Sequence, residues 1–395
     1  MSDVFIGYDG GQFFRTYLYS YNGSLYCLIP DQDNFSTPTA IRMYMSTNGG
    51  ATWTALSSTL SAQESFNVSG PPVLIGTKLY IYYAVNATSA NGLAYFDFTT
   101  NTFTSVTTTG NLSYFSLPCM AGAVATQLYI ADAEHGLNGI QISQYSSNAF
   151  SAIGQLNPAG SYVYYQLQIL ILGSSGVLHV FYAAAATETS SGDLGYANVV
   201  SGSLSAGTII YTGFLDQEAA FGGNSTGPAI QIGSNIYFSF YDAINKQVKM
   251  VAFNDSASPT FTVSVIDPSF TITKASFFPT GYWTNLLASY GSTLYCFYVN
   301  TNYQQVSGDG NLYYRTSTNN GSTWSARQTL TQHLDPIQGT PFAIWLPEAV
   351  QYVGTPGTVP KVSYLQALAD SSSLYGQGRF FFGVASESAR NYVLS

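Results

Sequence analysis

Charge is what this chain has least of. Only 8% of its 395 residues are Asp, Glu, Lys or Arg, and 11 basic side chains stand against 20 acidic ones, a net charge of −9. That balance repels a phosphate backbone, and no local cluster of Lys or Arg reverses it, so nucleic acid is excluded as a partner class. Cysteine is scarce too: Cys27, Cys119 and Cys296 cannot all pair within one chain and read as small buried core residues. The histidines His135, His179 and His333 are isolated; no Cys/His spacing has the form of a zinc site, and no glycine loop carries the lysine that nucleotide phosphates need. Neither metal nor cofactor is therefore expected. No apolar run reaches the roughly 18 residues of a membrane span, and MSDVFIGYDGGQFF lacks the basic start and apolar stretch of a signal peptide.

What the chain has instead is aromatic side chains: 32 Tyr, 25 Phe and 4 Trp make up 15% of it. Such residues suit a pleated, half-buried surface, so the composition reads as β-rich. A repeat gives that reading a shape. NGSLYCLI (22–29), GTKLYIYY (76–83), ATQLYIAD (125–132), SGVLHVFY (175–182), GSNIYFSF (233–240) and GSTLYCFY (291–298) share a turn, then Leu or Ile, then mostly Tyr, then an apolar alternation; PKVSYLQAL (360–368) is a weaker seventh copy. The aligned residues Leu25, Leu79, Leu128, Leu178, Ile236, Leu294 and Val362 are spaced by 54, 49, 50, 58, 58 and 68. A period of that size belongs to propeller arrays.

Each copy is preceded by an apolar segment that often carries proline and followed, across a loop, by another strand-like segment; stretches such as FTVSVI (261–266) supply a fourth. The expectation is one all-β domain over 1–395: a single β-propeller of four-stranded antiparallel blades, seven in number with six as the alternative. DVFIGY (3–8) has nothing to pair with locally, and the last repeat has little room for a fourth strand, so the amino-terminal strand is expected to close the ring with the last blade.

One octet recurs outside this period. STNGGATW (46–53) returns as STNNGSTW (317–324), each following a third strand. At the turn toward a fourth strand the chain needs positive φ, a side-chain acceptor for its own backbone, and a bulky residue returning to the core. Gly50 and Gly321, Asn48 and Asn319, and Trp53 and Trp324 supply those parts, so the octets read as blade-turn staples. They resemble the Asp-box, or BNR, repeat of sialidases, Ser-x-Asp-x-Gly-x-Thr-Trp, with Asn in place of Asp in both copies. FFRTYLYSYNGSLYCLI and AIRMYMSTNGGATW resemble that family's first blade, although Thr16-Tyr17 replaces its Ile-Pro. The resemblance implies a propeller and makes Arg15 the counterpart of the first of three arginines that clamp a sialic acid carboxylate.

The other two clamp arginines do not follow. No arginine lies between 43 and 314, so the middle blades offer none, and retaining sialidase chemistry loses its main support. Acids fall just after the repeated second strand, at Asp31, Asp132, Glu134, Glu188, Asp242 and Asp370, where a propeller opens its ligand-binding face. They read as turn caps, as a polar binding rim, or as the source of a catalytic carboxylate pair. Trp283 and Trp345 begin inner strands, where an indole could stack on a sugar or fill the core. The ligand-binding candidates are therefore Arg15, Asp31, Asp132, Glu134, Asp242, Trp283 and Trp345, with no catalytic or metal residue assigned.

With only five lysines and eight Asn-x-Ser/Thr sequons, the expected surface is one of hydroxyl and amide groups, suited to sugars and to life outside a cell. Exposure without an export signal points to a virion component, so the expected localisation is a virion or extracellular surface. The expected function is a non-enzymatic attachment protein whose partners are a glycan or glycosylated surface protein and other subunits of its assembly, with no membrane insertion. A glycoside hydrolase using rim carboxylates and a purely architectural protein are the alternatives.

Overall fold

The structure, a computed structural model, describes residues 8–9, 17–31, 40–61, 66–68, 72–85, 90–106, 119–122, 127–133, 139–146, 149–187, 192–215, 226–242, 244–269, 285–290, 292–299, 312–331, 343–349, 351–353, 361–367 and 378–384. Every regular element among them is a strand, and none is a helix long and apolar enough to cross a membrane. The chain divides into two compact units.

The first unit (Met1–Asn67, Ile266–Phe277 and Thr284–Ser395) opens with β1 (Tyr8–Asp9) and the sheet of β2 (Tyr17–Tyr21), β3 (Ser24–Asp31), β4 (Ala40–Ser46) and β5 (Thr54–Ser61). The second (Val68–Val265 and Phe278–Trp283) holds four sheets. In chain order these are β6 (Phe66–Val68) with β7 (Val73–Ile75), β8 (Lys78–Val85), β9 (Ala90–Asp97) and β10 (Thr102–Val106); then β11 (Cys119–Gly122), β12 (Leu128–Ala133), β13 (Ile140–Ser146) and β14 (Ala149–Leu156). Next come β15 (Tyr164–Leu172), β16 (Leu178–Ala185), β17 (Gly192–Val200), β18 (Ser203–Leu204) and β19 (Thr208–Leu215), then β20 (Ile230–Ile232), β21 (Asn235–Asp242), β22 (Gln247–Asn254) and β23 (Phe261–Asp267). The first unit resumes with β24 (Asn285–Tyr290), β25 (Thr293–Val299), β26 (Leu312–Ser317) and β27 (Gln328–Thr331), and ends with β28 (Ala343–Ala349), β29 (Gln351–Val353), β30 (Lys361–Ala367) and β31 (Gly378–Val384).

Among these are the antiparallel blades, of four or five strands, of an all-β propeller, and they number six, the alternative to the expected seven. Six blades are built from consecutive strands. The remaining sheet is composite: β28, β30 and β31 are joined by β1, with Tyr8 opposite Arg379 and Asp9 opposite Gly378. Residues 3–7 of the expected closing strand lie outside the described residues. β29 leaves its neighbours and pairs in parallel with β2.

The repeated Leu-Tyr segment is the second strand of its blade, and it is there because a tight turn feeds it. Between β2 and β3, Asn22 and Gly23 take φ of 47° and 79°, the left-handed pair that a two-residue hairpin requires. In the second unit β16 shows what the apolar alternation does. Leu178, Val180, Tyr182 and Ala184 join one core cluster, with Ile140 and Ile142 of β13; Phe181 and Ala183 join another, with Phe238, Phe240 and Val251 of β21 and β22. Strand side chains alternate faces, so a strand buried on both faces must be apolar throughout. Burying each such Leu or Phe contributes roughly 1.5–3 kcal/mol, which is why no blade is stable alone.

The octets close turns with the same bonds in both copies. Asn48 Oδ1 accepts from Ser46 Oγ (2.9 Å) and Thr52 N (2.9 Å), Asn48 Nδ2 donates to Thr52 Oγ1 (2.8 Å), and Gly50 N donates to Ser46 Oγ (2.9 Å). Asn319, Ser317, Thr323 and Gly321 repeat all four at 2.9, 2.9, 2.8 and 2.9 Å. Gly50 and Gly321 have φ of 97° and 80°. The amide that stands where a carboxylate was expected adds a donor, and Thr accepts it. Trp53 and Trp324 are half-buried rather than sunk in the core; Trp53 Nε1 donates to Gly50 O (3.2 Å), while the Trp324 indole N–H has no partner.

Candidate functional site

Of the seven ligand-binding candidates, Asp242 is the one whose side chain is described. Arg15, Glu134 and Trp283 lie outside the described residues, as do Glu188 and Asp370. Asp31 ends β3 opposite Ala40, Asp132 lies in β12 opposite Gln141, and Trp345 lies in β28 opposite Leu365; their side chains are outside the described set.

Asp242 does not stand on an open rim. It ends β21 with no exposed surface, and its carboxylate accepts from Lys249 Nζ (2.6 Å), Tyr211 Oη (2.6 Å), Asn245 N (2.9 Å) and Asn245 Nδ2 (2.7 Å). Burial alone would raise its pKa, but the bonds from Lys249, Tyr211 and Asn245 hold it below the ordinary carboxylate value. Burial likewise works against the Lys249 ammonium, and Asp242 and Tyr211 outweigh it, so that group is raised. The pair is ionised and internally satisfied.

Three more carboxylates form nodes of the same kind, none of which the sequence reading singled out. In the second unit Asp193 accepts from Tyr162 Oη (2.5 Å) and Gly213 N (2.7 Å), and that bond, with burial, pushes the Tyr162 phenol up to about 12. Asp255, just past β22, accepts from Ser174 Oγ (3.1 Å), Ser175 N (2.8 Å), Ser175 Oγ (2.5 Å), Gln231 Nε2 (2.9 Å) and His179 Nε2 (3.0 Å). Burial would raise its carboxyl; the serine and histidine bonds overcome that and lower it strongly. In the first unit Asp267, fully buried, accepts from Arg327 Nε (2.7 Å) and Nη2 (3.0 Å), Arg315 Nε (3.3 Å), Tyr298 Oη (2.7 Å) and Ser269 N (3.2 Å). Burial again opposes, and the bonds from Arg327 and Tyr298 with the Arg315 charge bring the carboxyl down to about 2.

Ser, His and Asp meet at the Asp255 node, but not in a nucleophile's order. A carboxylate only accepts, so His179 must carry its proton on Nε2, and Nδ1 then accepts from Tyr196 Oη (2.9 Å). Burial lowers the imidazole further than the Asp255 bond raises it, so it is neutral at neutral pH. The serines donate to Asp255, and the one basic nitrogen of the fully buried His179 faces the Tyr196 phenol, so the imidazole meets no serine hydroxyl.

A signal for three of these nodes was present in the sequence. Tyr162 with Asp193, Tyr211 with Asp242, and Asp267 with Tyr298 are each 31 residues apart. Among the described residues no group of three or more His, Cys, Asp or Glu is placed to hold a metal ion. Cys27 and Cys296 are buried, and neither is in a disulfide among the described residues.

No protein-family model and no curated protein matches the chain. Its path is similar to those of several solved structures at low identity. The subtype N11 neuraminidase-like protein of A/flat-faced bat/Peru/033/2010 (H18N11) is 9% identical with a TM-score of 0.48, over 81% of this chain and 89% of that one. The polysaccharide lyase Uly1 is 9% identical with a TM-score of 0.48, over 94% and 90%. The Aleuria aurantia lectin is 15% identical with a TM-score of 0.43, over 78% and 94%.

Proposed function

We propose that the chain is a non-enzymatic binding propeller, exposed on a virion or extracellular surface, that attaches to a glycan or a glycosylated partner. The observation that carries this reading is that, among the described residues, the carboxylates are held by the protein's own groups. Asp97, Asp193, Asp242, Asp255 and Asp267 are each bound by protein groups, Asp97 as a turn cap accepting from Thr99 N (2.9 Å) and Oγ1 (2.6 Å). Arg315 and Arg327, which do converge on a carboxylate, converge on the protein's own. A clamp for an acidic sugar needs guanidinium groups free to meet it, and a hydrolase needs carboxylates free to exchange protons with substrate. Among the described residues the exposed polar side chains are mostly Ser, Thr, Asn and Gln, hydroxyl and amide groups that suit uncharged sugars.

The test is a pair of assays on the full chain. Binding on a printed glycan array with no turnover of a fluorogenic sialoside supports the reading; release of product from any glycoside overturns it. Failure in both assays, with recovery in fixed ratio to other subunits on mass spectrometry of native particles, would assign an architectural role.

A further inference from the structure

One groove in the second unit belongs to none of the carboxylate nodes. It has a volume of about 640 Å³ and runs between β14 and the turn 202–207 that leads from β17 through β18 to β19. Small-ligand pockets occupy about 300–1,000 Å³, so it has room for one or two sugar rings. We propose that this groove is a binding site for a neutral saccharide; the assignment rests on the binding reading above and names its ligand class and place.

No lining residue carries a charge, so nothing in the groove recognises a sialate, a uronate or a phosphate. Its polar groups are amides and hydroxyls, set among Ile153, Leu156 and Leu204. Gln155 and Asn157 are exposed, and both side chains reach Gly139, where an added Cβ would stand 3.0 Å from Gln155 Nε2 and 3.1 Å from Asn157 Oδ1. Neither amide has a side-chain hydrogen bond among the described residues. On the facing wall Ser203 is exposed, and the Ser205 hydroxyl, which accepts from Asn198 N (2.9 Å), keeps its proton to donate.

The floor is aromatic. Tyr165 lines the groove, and its ring is backed by Tyr182 with centroids 4.4 Å apart, a fixed face for the C–H side of a sugar. Tyr182 is fully buried, and the polar neighbour of its hydroxyl is the Tyr165 phenol. That hydroxyl lies directly behind Gly207, where an added Cβ would come within 2.2 Å of it, so glycine is what keeps the groove floor open above the tyrosine pair.

The edge strand argues against a peptide occupant. β14 is the outer strand of its sheet, and an unbroken edge could accept an added strand. Its register shifts where Ile142 pairs with Gly154 and Ser143 with Ala152, leaving Ile153 as a bulge inside the groove. A bulge breaks the ladder a peptide would extend and leaves individual N–H and C=O groups for hydroxyls.

The experiment titrates the full chain with lactose, cellobiose and mannotriose, after a printed array of neutral and sialylated oligosaccharides has ranked them. Gln155→Ala with Asn157→Ala, and separately Ser203→Trp, should each weaken neutral-sugar binding at least tenfold while the melting temperature stays at the wild-type value. Binding that survives both variants overturns the groove and leaves the binding reading intact. Binding restricted to sialylated glycans overturns the neutral class. A wild-type protein that binds no glycan overturns the binding reading, and the groove with it.

Discussion

Asp255, in the second unit, is held by five donors that carry no charge, whereas Asp267, in the first, is held by two guanidinium groups, a tyrosine and one backbone N–H. Both carboxyls are driven well below their ordinary value against the opposing pull of burial. The formal charge left behind differs: one negative charge spread over neutral donors at Asp255, and one surplus positive charge at Asp267, where Arg327 retains 32% of its side-chain exposure. Neutral donors can satisfy a carboxylate as fully as cations do, but only cations leave a second charge that depends on it.

Removing each carboxylate sharpens that difference. Asp267→Ala strands two guanidinium groups and should cost about 3–5 kcal/mol, the scale for breaking a buried ion pair. Asp255→Asn strands no cation, but turns an amide N–H toward donors that need an acceptor. Its expected cost is about 1.5–3 kcal/mol, that of a hydrogen bond to a charged group. Urea unfolding measures both, and equal costs would erase the distinction between the nodes.

The smallest effect is on pH dependence. The Asp267 carboxyl lies at about 2 when folded and near 3.9 when unfolded, so its contribution is complete above about pH 4 and lost as pH falls through about 2. His179 is depressed as a base: the folded state disfavours its cation, so its contribution is complete above about 6.5 and declines below that pH. The Asp255 node should therefore weaken in mild acid while the Asp267 node holds. Melting temperatures between pH 7 and 3 should show an early decline that His179→Gln removes and a late one that Asp267→Asn removes. A wild-type curve flat down to pH 4 would refute the imidazole's part.

The nodes also mark where the sequence stopped being readable. The octets were legible because their bonds join residues two to four apart, so Ser46, Asn48 and Thr52 declare their geometry locally. The second strands were legible because Leu25, Leu79, Leu128, Leu178, Ile236 and Leu294 repeat one environment. Asp242 looked like a rim acid because Asp at a strand end usually caps a turn; what buries it is Lys249 on the returning strand and Tyr211, 31 residues earlier. Beyond the 31-residue spacing to Tyr298, Asp267 depends on side chains 48 and 60 residues away, and Asp255 on partners 24 to 81 residues away, distances that repeat in no other node. The half-buried indoles were misjudged for another reason: the octet pattern specifies the turn and leaves the depth of Trp53 and Trp324 to the packing around it.

The amides of the two staples give the molecule a chemical clock. An asparagine followed by glycine loses ammonia when the next backbone nitrogen attacks its side-chain carbonyl, and water then opens the resulting cyclic imide to aspartate or isoaspartate. In the second octet the residue before glycine is Asn320, which is exposed and makes none of the staple's bonds, so its conversion leaves the turn standing. In the first it is Asn48 itself, whose carbonyl is fixed by Ser46 and Thr52 and cannot rotate toward the attacking nitrogen while the turn is closed. Ageing at residue 320 should thus proceed silently and early, and ageing at residue 48 should register how often the first turn opens. Peptide mapping after incubation at mildly alkaline pH reads both, and equal rates at the two positions would mean that the first staple does not hold.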